Sequence, residues 1–421
     1  VSRVSRVSHA WHLPLGYIGF FLPAGVLLSY LPPFLRDKGL APDEVAWIFS
    51  AVFGVKLVTG PLLAWWADAS RRQSSLLWVA AWAGLGAAWL LGTSTHFAGL
   101  LLAVVVMAAC RNYCQSLLEA LATRLRGTGG AMRYGAMRAL GSASVCAGVL
   151  LFGGLWSAGV AWQQAALPLM VLVSALVLIT SLHAMQSAVR SMVRVPAPLP
   201  EQLPAQLSEQ LPDSAPAGIA MPARTPASLA TRSGVLLLVG ATLLIGANGV
   251  FYSSATLLLQ QQGVGSPAIA ALWCAAFGVE TLGFAAFDRL RARWGNARLF
   301  GAIVMLSLLR WSLLADDDSL PCLLVGFMLH VASFSWTHAL CALWVRDLSP
   351  NRYAITGQAL YTACAHGIGM AGAAWFASRA LPTWGPCVYA LASAMTAAGA
   401  LVIAIRAALA QRAGVTVALH T

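Results

Sequence analysis

The sequence predicts an all-α membrane protein of twelve transmembrane helices in two six-helix pseudo-repeats. Three observations carry that prediction. The composition is too apolar for a water-facing surface, apolar runs recur at the length of a bilayer span, and the basic residues crowd onto alternate connections. Of 421 residues, 59% are hydrophobic and only 10% are charged, against about 25% charged in soluble domains. Moving a charge out of water is costly, so a lipid-facing surface excludes it. Sixteen Trp and 38 Gly fit the same class, since Trp favours membrane interfaces and Gly is frequent in spanning helices.

A spanning helix needs about 20 mostly apolar residues. Such runs fall roughly at 14–35, 45–67, 75–93, 97–121, 133–157 and 162–185, then at 234–258, 267–288, 297–315, 319–345, 353–378 and 384–408. The first is too long for a signal-peptide core and lacks a small-residue cleavage site, so it is expected to persist as span 1. Between spans 6 and 7, the stretch Met185–Arg232 turns to Pro, Gln, Ser and Ala. It cannot bury enough apolar area to fold and is expected to be a disordered tether. The chain therefore divides into an N-terminal bundle (1–185), a cytoplasmic linker (186–232) and a C-terminal bundle (233–421).

The formal charge of +12 suggests acidic partners in a soluble protein. Here the placement of the 26 basic residues explains it. Alternating sides along the spans puts nineteen on one side and three, Arg36, Lys38 and Arg379, on the other. Four more, Lys56, Arg111, Arg138 and Arg310, fall inside spans. Basic loops stay in the cytoplasm, so both termini and the linker are expected there. Nucleic acid is not needed to account for the charge.

The halves echo each other. GPLLAWWADASRR ends span 2, with Asp68 before Arg71 and Arg72; GFAAFDRLRARWG ends span 8, with Asp288 before Arg289. Repeated halves of this kind mark transporter folds with parallel repeats. The acid–arginine groups serve either as topological anchors or as a conformational latch between helix ends.

Ionisable residues inside spans are the informative ones, because each must be paired or face an aqueous cavity. Lys56 in span 2 either snorkels or lines such a cavity. Span 4 carries Arg111, Asn112 and Glu119; Asn112 and Glu119 are two helical turns apart and face one way. Span 5 carries Arg138 beside Gly135, Gly141 and Ser142, small residues that allow close helix approach. A Glu119–Arg138 pair is either a neutralised salt bridge or a hydrogen-bonding site for a polar solute, with Asn112, Asn248 of span 7 and Lys56 as further candidates. Glu280, Arg310 and His330 on spans 8, 9 and 10 are expected to converge. His338, further along span 10, is read as structural.

Other chemistry finds little support. The eight Cys lie mostly in apolar runs without CxxC or zinc spacing, and they read as reduced hydrophobes. Asp316, Asp317 and Asp318 form an acidic run with no second acidic motif. No P-loop, HExxH or Ser–His–Asp order is present. No catalytic residue, metal or cofactor is expected.

At these residues the sequence resembles the phenylpropionate permease branch of the major facilitator superfamily, a relative of lactose permease. GFFLPAGVLLSYLPPFLRDKGL is similar to the family's opening helix, and YGAMRALGS resembles its Tyr-Gly-x-x-Arg-x-x-Gly-Ser motif. LWCAAFGVETLGF, LLRWSLLA and MLHVASFSWTHAL resemble helices 8 to 10 in order and spacing. The resemblance implies that Glu119 and Arg138 hold solute, and that Glu280, Arg310 and His330 couple protons. Two departures stand out. Ser333 takes the place of the family's helix 10 acid, which points to a different proton path, and Val145 replaces a sugar-stacking Trp, which speaks against a sugar. The implied protein is a monomeric, multi-pass permease of the bacterial inner membrane, a proton symporter for a small polar solute such as an aromatic or other organic acid. Sugar, oligosaccharide or nucleoside symport and drug efflux remain alternatives within the fold. A membrane-embedded enzyme or a non-transporting sensor is the alternative outside it.

Overall fold

A computed structural model describes residues 3–124, 133–156, 160–184, 229–264, 266–316 and 320–412. Nearly all of the expected linker, and the acidic residues Asp317 and Asp318, lie outside these residues. Among the described residues the chain is helical, with no strand.

The first six spans are the helices Arg3–Asp37, Pro42–Ser70, Gln73–Thr93, Phe97–Arg124, Tyr134–Trp156 and Val160–Ala184. Span 7 is Arg232–Gln261, opened by Thr231, whose hydroxyl accepts from Gly234 N at 3.3 Å as an N-cap does. Spans 8 and 9 share the continuous stretch Ser266–Ala315, broken only at Gly295 with φ 73°. That left-handed turn is open to glycine at little cost, and it lets the chain re-enter the membrane almost at once. Span 10 is Leu320–Met328 and Thr337–Leu348 with a π-helical turn, Val331–Trp336, between them. Span 11 repeats this design, with a π-helical Ala363–Gly369 between Ala354–Thr362 and Met370–Trp384. Tyr389–Arg412 is span 12. The wide surface is apolar: Trp47, Trp82 and Trp89 are more than two-thirds exposed, as side chains facing lipid would be.

The two halves meet along spans 5 and 8 on one side and along spans 2, 4, 10 and 11 on the other. Their basic ends are sealed by hydrogen bonds between halves. Asp68 Oδ2 accepts from Thr356 N and its hydroxyl at 2.9 and 2.8 Å. Asp288 Oδ2 accepts from Gly135 N at 2.8 Å. Each acid thus sits on the first turn of a helix in the opposite half, where free N–H groups and the helix dipole favour negative charge. Arg124 donates to Ser349 O at 2.8 Å, and Arg346 to Thr123 O at 3.0 Å. Arg71, Arg72 and Arg289 are exposed. The contact between halves is therefore acid to helix end, with the neighbouring arginines left at the surface.

Gly135 marks the tightest point of this seal, since a Cβ there would run into Phe284 O of span 8. Gly135→Leu is expected to force spans 5 and 8 apart. Labelling of a cysteine placed at Ser349, in a background without reactive native thiols, should speed up by about tenfold as the population shifts. An unchanged labelling rate would show that this seam does not hold the end closed.

Candidate functional site

The centre of the molecule carries two groups of buried polar side chains. The first gathers on Glu119. Arg138 Nη1 donates to Glu119 Oε1 at 2.6 Å, and the Tyr134 hydroxyl donates to Oε2 at 2.9 Å. All three are buried, so the pair has the short geometry of a charge-assisted bond. Spans 4 and 5 position them: Glu119 and Tyr134 belong to consecutive helices, and Arg138 is one turn beyond Tyr134. The guanidinium lies over two rings, Phe21 of the N-terminal half and Phe284 of the C-terminal half, each 5.1 Å from its centroid. Span 10 brings His338 Nε2 to 4.0 Å from Glu119 Oε1, and His338 Nδ1 hydrogen-bonds with the Tyr361 hydroxyl at 2.9 Å. His366 packs edge-on against His338 at 5.2 Å.

The second group gathers on Glu280. His330 Nε2 is 3.2 Å from Glu280 Oε2 and 3.0 Å from the Tyr252 hydroxyl. On its other oxygen Glu280 accepts from Ser142 Oγ at 2.9 Å. Ser142 belongs to span 5, so this bond also joins the two halves.

Arg310 does not join Glu280. It is fully buried, donating to Gly326 O at 3.0 Å, Asn248 Oδ1 at 3.0 Å and Ser333 Oγ at 2.7 Å. It also stacks over Phe251 at 4.1 Å and Trp311 at 4.3 Å. Glu280 and His330 meet, while Arg310 stands within electrostatic reach of His330 and Tyr252 without pairing with Glu280. Asn248 and Ser333 take its Nη1, and its Nη2 is buried without a hydrogen-bond partner. Among the described residues Arg310 has no carboxylate partner. Asn248 is likewise a ligand of Arg310 and stands away from Glu119.

Asn112 is partly buried, and its side-chain nitrogen lacks a hydrogen-bond partner. It lies beside Gly60 of span 2. Lys56 is partly buried, within electrostatic reach of Arg111 and His366. Arg111 turns instead to span 1, donating to Phe20 O at 2.8 Å. His338, His366, Tyr134 and Tyr252 are site residues that the sequence reading missed or read as structural. Their one shared sequence signal is a polar ring inside an apolar run. The two π turns, frequent at functional sites, change the phase of spans 10 and 11 and bring His338 and His366 inward.

Comparison with known proteins agrees with this architecture. The chain matches the MFS_1 like family over residues 10–378. It is 28% identical over 415 residues to a maltose permease of Geobacillus stearothermophilus, covering 95% of either chain. In fold it is similar to a bacterial homologue of the iron transporter ferroportin in an outward-facing state, with TM-score 0.71, 13% identity and coverage of 94% of this chain and 99% of that one. The E. coli fucose:proton symporter gives TM-score 0.63 at 13% identity, covering 96% and 99%. A proton:xylose symporter of the major facilitator superfamily gives 0.58 at 15% identity, covering 96% of each.

Proposed function

Because this chain belongs to the MFS_1 like family of the major facilitator superfamily, and is a solute transporter of that kind and not an enzyme, we propose that it is a proton-coupled symporter of a small organic acid. We assign it to the phenylpropionate permease-like branch and to the bacterial inner membrane, as a monomer. The sealed, basic end is read as cytoplasmic, and residues 186–232 as the tether between halves. The observation that carries the acid reading is the balance of charge at the centre. Lys56, Arg111, Arg138 and Arg310 stand against Glu119 and Glu280, and neither Lys56 nor Arg111 has an ion pair among the described residues. An incoming carboxylate would supply the missing negative charge. The rings of Phe21, Phe284 and Tyr361 beside Glu119 and Arg138 suit a flat apolar body on that acid.

Proton coupling is read from the Glu280–His330 contact and the Ser142 bond across the halves. Rocking that parts spans 5 and 8 takes Ser142 away. A carboxylate that loses a donor in a dry interior is more costly to keep charged, so proton uptake follows the motion. Alternating access then carries the solute past a site near the membrane centre.

A sugar is the second reading, favoured by the similarity to a maltose permease. Thermal unfolding of the detergent-purified protein separates the two, since a ligand that binds the native state raises the midpoint by mass action. 3-Phenylpropionate is expected to raise it in the millimolar range and maltose to leave it unchanged. A rise with maltose alone would replace the acid by a sugar.

A further inference from the structure

The two polar groups are close, yet no hydrogen bond among the described side chains joins them. On span 10 what separates them is Phe334; on span 5 a single turn parts Ser142 from Arg138, whose guanidinium does not give up its proton. On span 10, His330, Phe334 and His338 are four residues apart in turn, and their rings form a column. Phe334 stacks on His330 with centroids 5.3 Å apart and planes at 11°, and on His338 at 6.3 Å and 12°. Tyr252 meets it edge-on at 6.3 Å, and His366 does so at 6.0 Å. A phenyl ring thus fills the space between three imidazoles.

Those imidazoles have nitrogens to spare. His330 Nδ1, His338 Nε2 and His366 Nδ1 are buried and without hydrogen-bond partners. On one side of the ring stand Glu280, His330 and Tyr252, with Ser142 facing them from span 5. On the other stand Glu119, Arg138 and Tyr134 from spans 4 and 5, with His338, Tyr361 and His366 from spans 10 and 11. Lys56 of span 2 lies beyond His366. Proton transfer needs donor and acceptor within about 2.6–3.2 Å, or one water between them. Phe334 supplies neither, and its half-buried ring takes the place between the imidazoles that a bridging water would need.

We propose that Phe334 is a proton insulator, filling the break between the Glu280–His330–Tyr252 group and the Glu119–Arg138–His338 group so that a proton held on the first does not reach the second. This rests on the proton-coupled reading above. The second group lies nearer the sealed end: Tyr134 opens its helix, and Glu119 is within two turns of Arg124. A bridge across Phe334 would therefore extend a proton path towards the cytoplasmic side without any movement of the halves. Protons would then cross without solute, and the gradient would be lost.

The test needs no solute. Full-length protein is reconstituted in liposomes with a pH-sensitive dye inside, potassium and valinomycin clamping the potential, and an imposed pH step. Phe334→Ala, which admits water, and Phe334→His, which keeps the bulk and adds ring nitrogens, are expected to raise proton entry by at least about tenfold over wild type. Phe334→Leu, apolar and bulky, is expected to match wild type. Adding Glu280→Gln to either leaking variant should abolish the leak. If neither the alanine nor the histidine variant leaks, or if the leak survives Glu280→Gln, Phe334 is not the insulator. Phe334→His keeps the test open should the alanine variant fail to insert. Proton entry driven by added 3-phenylpropionate or maltose in wild-type liposomes tests the coupling itself, so the two failures are distinguishable.

Discussion

Arg138→Ala is expected to lower the initial rate of solute uptake by at least about a hundredfold, because it strands a buried carboxylate. Glu119 takes its shortest bond, 2.6 Å, from Arg138. Breaking a buried pair by removing one partner costs about 3–5 kcal/mol. His338 at 4.0 Å is too far to replace that bond, and Tyr134 already donates to the other oxygen. The substitution also removes the cation that lies between Phe21 and Phe284, so the site loses a contact with each half. Arg138→Lys keeps the charge and loses the planar donor fork. It should retain measurable uptake, about tenfold above the alanine variant, since lysine still pairs with Glu119. The measurement is uptake into liposomes at matched protein content. Wild-type uptake by Arg138→Ala would reduce the Glu119–Arg138 pair to a packing feature.

Glu280→Gln should abolish accumulation against a gradient while sparing exchange of labelled for unlabelled solute. The amide mimics a carboxyl that never releases its proton, and exchange requires no release. Its oxygen still accepts from Ser142, so the contact between halves survives. A charge moved through 100 mV is worth about 2.3 kcal/mol, or roughly fiftyfold accumulation at equilibrium. That whole factor is expected to disappear in the variant, with the final internal concentration equal to the external one. Since Arg310 is held by Asn248 and Ser333, His330, 3.2 Å from Glu280, is the candidate relay for the Glu280 proton. Uphill uptake by Glu280→Gln, still dependent on the proton gradient, would remove Glu280 as the obligatory carrier.

Much of this site was legible in the sequence because it depends on spacing within an unbroken α-helix. Glu119 and Arg138 stand on consecutive spans at depths that the helical repeat sets, and they meet. What the sequence concealed lies beyond the points where the helical repeat changes. His338 read as structural because it lies eight residues past His330, towards the end of the span; the π turn at Val331–Trp336 comes between them. His366 sits inside a second such turn. The Arg310 expectation missed for another reason. A buried guanidinium takes whichever acceptors lie nearest, and here these are the Gly326 carbonyl and two neutral side chains on spans 7 and 10, with Nη2 left without a partner. Asp68 and Asp288 were legible as acids at span ends, but their partners were not. Those partners are backbone N–H groups and a threonine hydroxyl of the opposite half, which no local pattern announces.

The π turns in spans 10 and 11 also bear on ancestry. Each accommodates one residue more than an α-helix of the same rise. Were that residue an insertion, a homologue lacking it would keep the side chains past that point in place under numbers one lower, and an ungapped alignment would pair positions about 100° apart around the helix. Aligning such a homologue to this chain without a gap would pair His338 with a residue facing lipid or packing inside its own half. Roles for the stretches of spans 10 and 11 that follow the π turns therefore pass between relatives only where that extra residue is shared.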